Sequence, residues 1–249
     1  MKNIFRMVLA MLLLLGAMPA HAAFSDVPAS YTYSNSVDYV QREGIVTGYA
    51  DGTYKPESSI NRAEFTKIVV NSFYKNEVDD AYICNQEYKT DISMCEGINK
   101  CEAAAFVNYG ACMGYSTDAN GKPDPKSSIL KVYDSCFPDI TNGVWYQRFV
   151  CLAKMKSLIG GYPDGSFKPE QNVSFVEASK ILSNAFGFST SQDAVWYRPY
   201  VGALADRKAI PSTISLFEQK ITRGELAEII YRLKEQVVNR DSKAYSSLK

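Results

Sequence analysis

Two arginines carry the most specific chemistry in this sequence. Arg62 stands in Ile60-Asn61-Arg62-Ala63-Glu64 and Arg223 in Ile221-Thr222-Arg223-Gly224-Glu225. Each follows a residue able to cap a helix and precedes a glutamate by two positions. The first turn of a helix presents backbone N–H groups without intrahelical partners and a partial positive charge. A guanidinium at the first helical position adds a planar fork of donors, so the combination suits a carboxylate. The same frame occurs a third time as Val173-Ser174-Phe175-Val176-Glu177, where Phe175 takes the arginine position. The groove of that second unit is therefore expected not to clamp an anion.

The elements that must position these side chains repeat along the chain. Val46-Thr47-Gly48-Tyr49-Ala50-Asp51-Gly52-Thr53-Tyr54-Lys55-Pro56 returns 113 positions later as Ile159-Gly160-Gly161-Tyr162-Pro163-Asp164-Gly165-Ser166-Phe167-Lys168-Pro169. The flanks align without a gap, Phe24-Ser25-Asp26 falling on Phe137-Pro138-Asp139. Repetition of a unit of about fifty residues dominates any reading of fold. In each unit a short helix is expected first, over 34–42 carrying Tyr33, Val37 and Val40, and over 145–156 carrying Phe149, Leu152 and Met155. Asp-Gly turns follow. A second helix then opens on a capping box, Asn61 with Glu64 and Ser174 with Glu177. A third, degenerate copy places Trp196-Tyr197 on Trp145-Tyr146 and Thr222 with Glu225 on Ser174 with Glu177, but replaces the Gly-Tyr loop by residues 210–217. The expected organisation is a signal peptide (1–22), repeat one (24–74), a cysteine-rich insertion (75–135), repeat two (136–187), repeat three (188–235) and a polar tail (236–249). The tail's composition predicts disorder after Val238.

Composition narrows the chemistry. Lys2 and Arg6, an apolar run over 7–18 and Ala20-His21-Ala22 read as a secretory signal. Removing it leaves 25 basic residues against 27 acidic ones, a net charge of about −2 with no basic run, which gives no support for nucleic-acid binding. No later segment is long and apolar enough to insert in a membrane. The one histidine, His21, lies in the signal, so the exported chain has no imidazole for a nucleophile system or a metal site. No cofactor is expected. Six cysteines in an exported chain predict disulfides. Cys136 and Cys151 are placed to staple the first helix of repeat two to the incoming chain, whereas the pairing of Cys84, Cys95, Cys101 and Cys112 stays open.

The repeats resemble S-layer homology domains, whose pattern is an aromatic-x-Asp start, a helix, a Gly-aromatic-x-Asp-Gly loop and an Ile-Thr-Arg-Ala-Glu helix opening. The resemblance covers roughly 150 residues and leaves out the insertion. It implies a mainly α fold of three helix–loop–helix repeats packed as a pseudo-threefold bundle, with a disulfide-rich insertion between repeats one and two. It further implies a non-catalytic anchoring module on the cell surface that binds a pyruvylated secondary cell-wall polysaccharide in grooves between repeats. On that reading Arg62 and Arg223 meet the ketal carboxylate, Trp145 and Trp196 stack on sugar rings, and Gly48, Tyr49, Gly161 and Tyr162 line the grooves. The alternative is an S-layer or envelope assembly protein that uses repeats and insertion for protein contacts.

Each residue also admits a structural role. Glu64, Glu177 and Glu225 are capping-box members, the tyrosines can pack on a neighbouring repeat, the tryptophans can be core, and the arginines can form inter-repeat ion pairs. An enzyme would need an acid and a base, and Asp51 and Asp164 are explained by turn geometry.

Overall fold

A computed structural model describes residues 24–94 and 136–249, with side chains over 24–78 and 136–249. The expected signal peptide, most of the insertion and the side chains of Cys84, Cys95, Cys101 and Cys112 lie outside the described residues. Among the described residues the regular structure is helical: α1 (Ser34–Arg42), α2 (Arg62–Met94), α3 (Gln147–Met155), α4 (Phe175–Ala185), α5 (Arg198–Asp206) and α6 (Arg223–Glu235), followed by a 3₁₀ turn at Tyr245–Ser247.

The second helix of each repeat begins where a side chain satisfies one of its first donors. Ser174 accepts from the Glu177 amide while Glu177 accepts from the Ser174 amide, and Thr222 and Glu225 do the same. In α2 the Asn61 side chain accepts from the Glu64 amide at 2.9 Å. The expected apolar faces are inward: Val37, Val40, Ala63, Ile68, Val69, Phe149, Leu152, Ala178, Ile181, Leu182, Leu226, Ile229 and Ile230 are all buried. α2 breaks at Tyr74 (φ −132°, ψ 25°) and then runs on to Met94.

What joins the repeats is a ring of main-chain pairing. The extended residues before α2, α4 and α6 form three isolated antiparallel bridges, Ser59 with Thr222, Asn61 with Asn172 and Ser174 with Lys220. Their hydrogen bonds run head to tail: the Ile60 amide donates to the Ile221 carbonyl, Ile221 to Val173, and Val173 to Ile60, at 3.0–3.1 Å. The side chains of these three residues are fully buried at the centre. The outer packing is cyclic as well. α2 packs on α3, α4 on α5, and α6 on α1. Each repeat thus lays its second helix against the first helix of the next, and the last repeat closes onto the first.

The Cys136–Cys151 bridge forms as expected, with Cα atoms 5.3 Å apart. It fixes α3 to the chain that enters repeat two. The tail departs from expectation. Leu248 is buried, the Lys243 amide donates to the Ile210 carbonyl at 3.1 Å, and Lys249 exchanges two main-chain bonds with Ser215 and Phe217. Polar composition predicted disorder there because it contains few apolar residues. The order comes instead from main-chain and arginine hydrogen bonds, which a hydropathy pattern does not register.

Candidate functional site

Two grooves of the same construction lie between the repeats. Groove one, about 290 Å³, is lined by Gly48, Tyr49, Glu64, Lys67, Trp145 and Arg223, with Ile45, Val46, Thr47 and Ile68 completing the lining. Groove two, about 570 Å³, is lined by Gly161, Tyr162, Glu177, Lys180, Trp196 and Arg62, with Leu158, Ile159 and Ile181 in the corresponding places. All eight residues expected to bind polysaccharide fall in one or the other. Each groove draws on three repeats: the loop and second helix of one, the tryptophan of the next, and the arginine of the one before.

This cyclic supply corrects the expectation for Phe175. The arginine of a repeat does not serve its own groove. Arg62 of repeat one completes groove two, and Arg223 of repeat three completes groove one. The phenylalanine of repeat two therefore subtracts from the third position, beside repeat three. Groove two keeps its guanidinium.

The arginines are held in one pose. Arg223 Nε donates to the Tyr54 carbonyl and Arg62 Nε to the Phe167 carbonyl, both at 2.8 Å. Arg223 Nη1 reaches Glu64 at 3.3 Å, and Arg62 Nη1 lies 3.7 Å from Glu177. The Arg223 guanidinium carbon sits 4.8 Å from the centroids of Tyr49 and Tyr54, and that of Arg62 sits 4.6 and 4.9 Å from those of Tyr162 and Phe167. Both arginines are only 6% exposed. A guanidinium has five N–H donors; these contacts engage two in Arg223 and one in Arg62, so each fork is oriented but not exhausted.

The helix-start amides are used up differently from the sequence expectation. The Arg62 and Ala63 amides donate to Gln171 and Pro169, and those of Arg223 and Gly224 to Ser58 and Pro56, at 2.8–3.0 Å. The neighbouring repeat's loop consumes these donors. These amides are therefore not open to a ligand, and what each groove presents at this point is side chains. Gly224 also has a packing reason, since a Cβ there would come within about 3.0 Å of the Tyr31 ring.

The remaining groove residues form a matched set. Tyr49 and Tyr162 are half-buried and donate to Glu64 and Glu177 at 3.0 and 2.6 Å. Tyr54 and Phe167 are fully buried and belong to the frame. Burial pushes the Tyr49 and Tyr162 phenols up, with the glutamates adding to it, so both remain donors at neutral pH. For Glu177 burial favours the neutral acid, but the Ser174 amide, the Tyr162 hydroxyl and Arg62 outweigh it and hold the carboxyl below its usual value. Glu177 is thus cap, tyrosine partner and arginine partner together, and Glu64 is tyrosine and arginine partner. Trp145 and Trp196 are 53% and 49% exposed, which makes them groove wall and not core.

Lys67 and Lys180 are groove residues the sequence reading did not single out. Each stands one helical turn beyond the cap glutamate and again 113 positions apart, which was the available signal. Their ammonium groups lie 5.5 and 5.6 Å from the Trp145 and Trp196 ring centroids. Burial, and then repulsion from Arg148 and Arg223, pulls the Lys67 pKa down. A cation crowded by cations gains from an incoming anion.

The glycines have a backbone cause. Gly48 and Gly161 adopt φ +71° and +77°, and a Cβ would approach the Thr53 and Ser166 carbonyls at 2.8 and 2.9 Å. Just beyond, Asp26 and Asp139 each accept two main-chain N–H bonds at 2.7–2.8 Å and pin the end of the loop. The Ser166 hydroxyl and amide hold the Asp164 carboxyl down at about 2, and the Thr53 hydroxyl and amide act likewise on Asp51. That is opposite to what a general acid requires.

Comparison with known proteins agrees with this construction. Residues 23–66 and 137–178 match the S-layer homology domain. The chain is 23% identical to the middle cell wall protein of Brevibacillus brevis over 92% of its own length and 18% of that protein. It is 22% identical to a surface layer protein of Brevibacillus choshinensis over 79% of its length and 14% of that protein. A cellulosome-anchoring protein of Acetivibrio thermocellus is 24% identical over 65% of the chain and 25% of that protein. The chain thus spans a quarter or less of these relatives. It carries S-layer homology repeats over residues 23–66 and 137–178. These relatives are cell-wall, surface-layer and cellulosome-anchoring proteins. The third unit lies outside the two family matches and joins the others through the backbone ring.

Proposed function

We propose that grooves one and two bind an acidic cell-wall polysaccharide and so hold the exported chain on the cell surface. The observation that carries this reading is the pair of like grooves. Each offers an oriented guanidinium, a lysine, a tyrosine and a half-exposed indole around one carboxylate-bearing wall. With one glutamate against an arginine and a lysine, each groove has a net charge of about +1. A carboxylate on a ring-shaped, partly apolar ligand matches that set: the cations meet the charge and the indole meets the ring face. A ketal pyruvate on a sugar has this chemistry, and the surface-layer and anchoring relatives support the coarser reading of a cell-surface anchor.

Sedimentation with isolated cell walls, native and stripped of ketal pyruvate, tests the proposal. Retention on native walls and loss on stripped walls is expected. Equal retention on both, or none on either, contradicts it. Surface retention that survives Arg62→Ala with Arg223→Ala would instead favour an assembly role through protein contacts.

A further inference from the structure

The third seam, where α6 of the last repeat meets α1 of the first, repeats the groove frame with different side chains. Ser212 and Thr213 stand where grooves one and two have the Gly-Tyr pair, and the Thr213 hydroxyl donates to Glu225 at 2.6 Å as Tyr162 does to Glu177. Phe175 replaces the arginine, Thr32 the tryptophan, and Glu228 the lysine. The sign of the charge is therefore reversed at the point where a polymer carboxylate would sit.

Glu228 is fully buried, and its partners come from three directions. Arg232, one turn along α6, donates to it at 2.6 Å. The Ser36 hydroxyl of α1 donates to its other oxygen. Arg240 arrives from beyond α6, with Nη1 at 2.9 Å from Glu228 and also bonded to Ser36. The chain around Arg240 follows it in. Arg232 Nη2 donates to the Asp241 carbonyl at 2.9 Å, and both the Ser242 hydroxyl and the Lys243 amide donate to the Ile210 carbonyl. Ile210 is the loop residue that matches Val46 and Ile159 in the two open grooves. Asn239, Arg240 and Asp241 line the remaining space beside Thr32 and Glu228.

We propose that the third groove has become a receptor for the chain's own arginine-bearing segment, 239–249, which locks the ring shut. The ligand class is a guanidinium on an extended peptide, read by Glu228 and Ser36 and supplied in cis. A lock is useful at this seam in particular. Repeats one and two, and two and three, are joined by the chain itself, whereas repeats three and one meet only by non-covalent contact. Arg240 is the one of the two guanidiniums on the buried Glu228 that comes from the tail, so removing it releases the segment while Arg232 still pairs the carboxylate. The consequence that the protein has two polymer sites and not three rests on the proposed function; the lock itself does not.

The test needs no polymer. In the full mature chain, Arg240→Ala is expected to raise hydrogen exchange at the Lys243 and Lys249 amides by roughly tenfold or more, together with tryptic cleavage after Lys243. Amides of α4 and α5 serve as the internal reference and stay unchanged. Arg240→Lys keeps charge but loses the fork, and is expected to give a smaller rise of the same pattern. If Arg240→Ala does not fold, the lysine variant supplies the readout. Unchanged protection of Lys243 and Lys249 in both variants, or a rise spread evenly over all helices, overturns the lock.

Discussion

Grooves one and two and the closed third seam share one backbone frame and differ at five groove positions. The bridges and the side-chain-capped second-helix starts are common to all three. Arginine, lysine, tryptophan and a Gly-Tyr loop occur together in two places. Their counterparts Phe175, Glu228, Thr32 and Ser212-Thr213 occur together in the third. These five changes are scattered over three repeats, yet they converge on one seam. Frame and recognition are therefore separable: the main chain builds the ring, and the side chains decide whether a seam stays open for an anion or closes on the protein's own arginine.

The sharpest contrast lies at a single helix position. Phe175 is fully buried, whereas Arg62 and Arg223 use their heads on carbonyls and carboxylates at a groove edge. Phe175→Ala is expected to cost about 3–5 kcal/mol in chemical denaturation, with wall retention per folded molecule unchanged. Arg62→Ala or Arg223→Ala is expected to cost about 1–3 kcal/mol, because carbonyl and glutamate lose a buried donor. Each should also remove one groove. A phenylalanine variant that loses wall binding while still folded would break the comparison.

The tryptophans test the wall of the groove apart from its charge. Trp145→Ala and Trp196→Ala are each expected to weaken retention by roughly 2- to 10-fold, corresponding to about 0.5–1.5 kcal/mol of aromatic contact. Stability should move by less than about 0.5 kcal/mol, since both rings are half exposed. Equal loss of stability and binding would make them frame residues.

The smallest effect is in pH. The Glu177 carboxyl is held below its unfolded value of about 4.3. It therefore contributes stability that is fully present above that value and is lost as pH falls through the lower, folded one. Glu177→Gln should flatten the acid limb of a stability–pH curve below about pH 4, read by thermal melting. An unaltered limb would mean that the Ser174, Tyr162 and Arg62 contacts do not favour the ionised form.

The features legible in sequence were the local ones. Caps, Asp-Gly turns and the 113-residue offset depend on neighbours a few positions apart, and the helix starts follow them closely. The eight groove residues were also legible, because the repeat displays them twice. What sequence did not reveal was the cyclic order. That Arg62 belongs with Tyr162 and not Tyr49 depends on which repeat lies beside which, and similarity between repeats is silent on that point. The order of the tail depends on a buried Glu228 that local pattern presents as one more charge on an amphipathic helix. The free helix-start amides expected at the arginines are absent for the same reason, since loops of the adjacent repeat take them.

The most direct test of the account is the stoichiometry of a defined pyruvylated cell-wall saccharide, by titration calorimetry on the mature chain. Two equivalents are expected for the native sequence, one for Arg62→Ala or Arg223→Ala, and none for the double variant. Three equivalents for the native chain, or a count that neither single variant lowers, would contradict it.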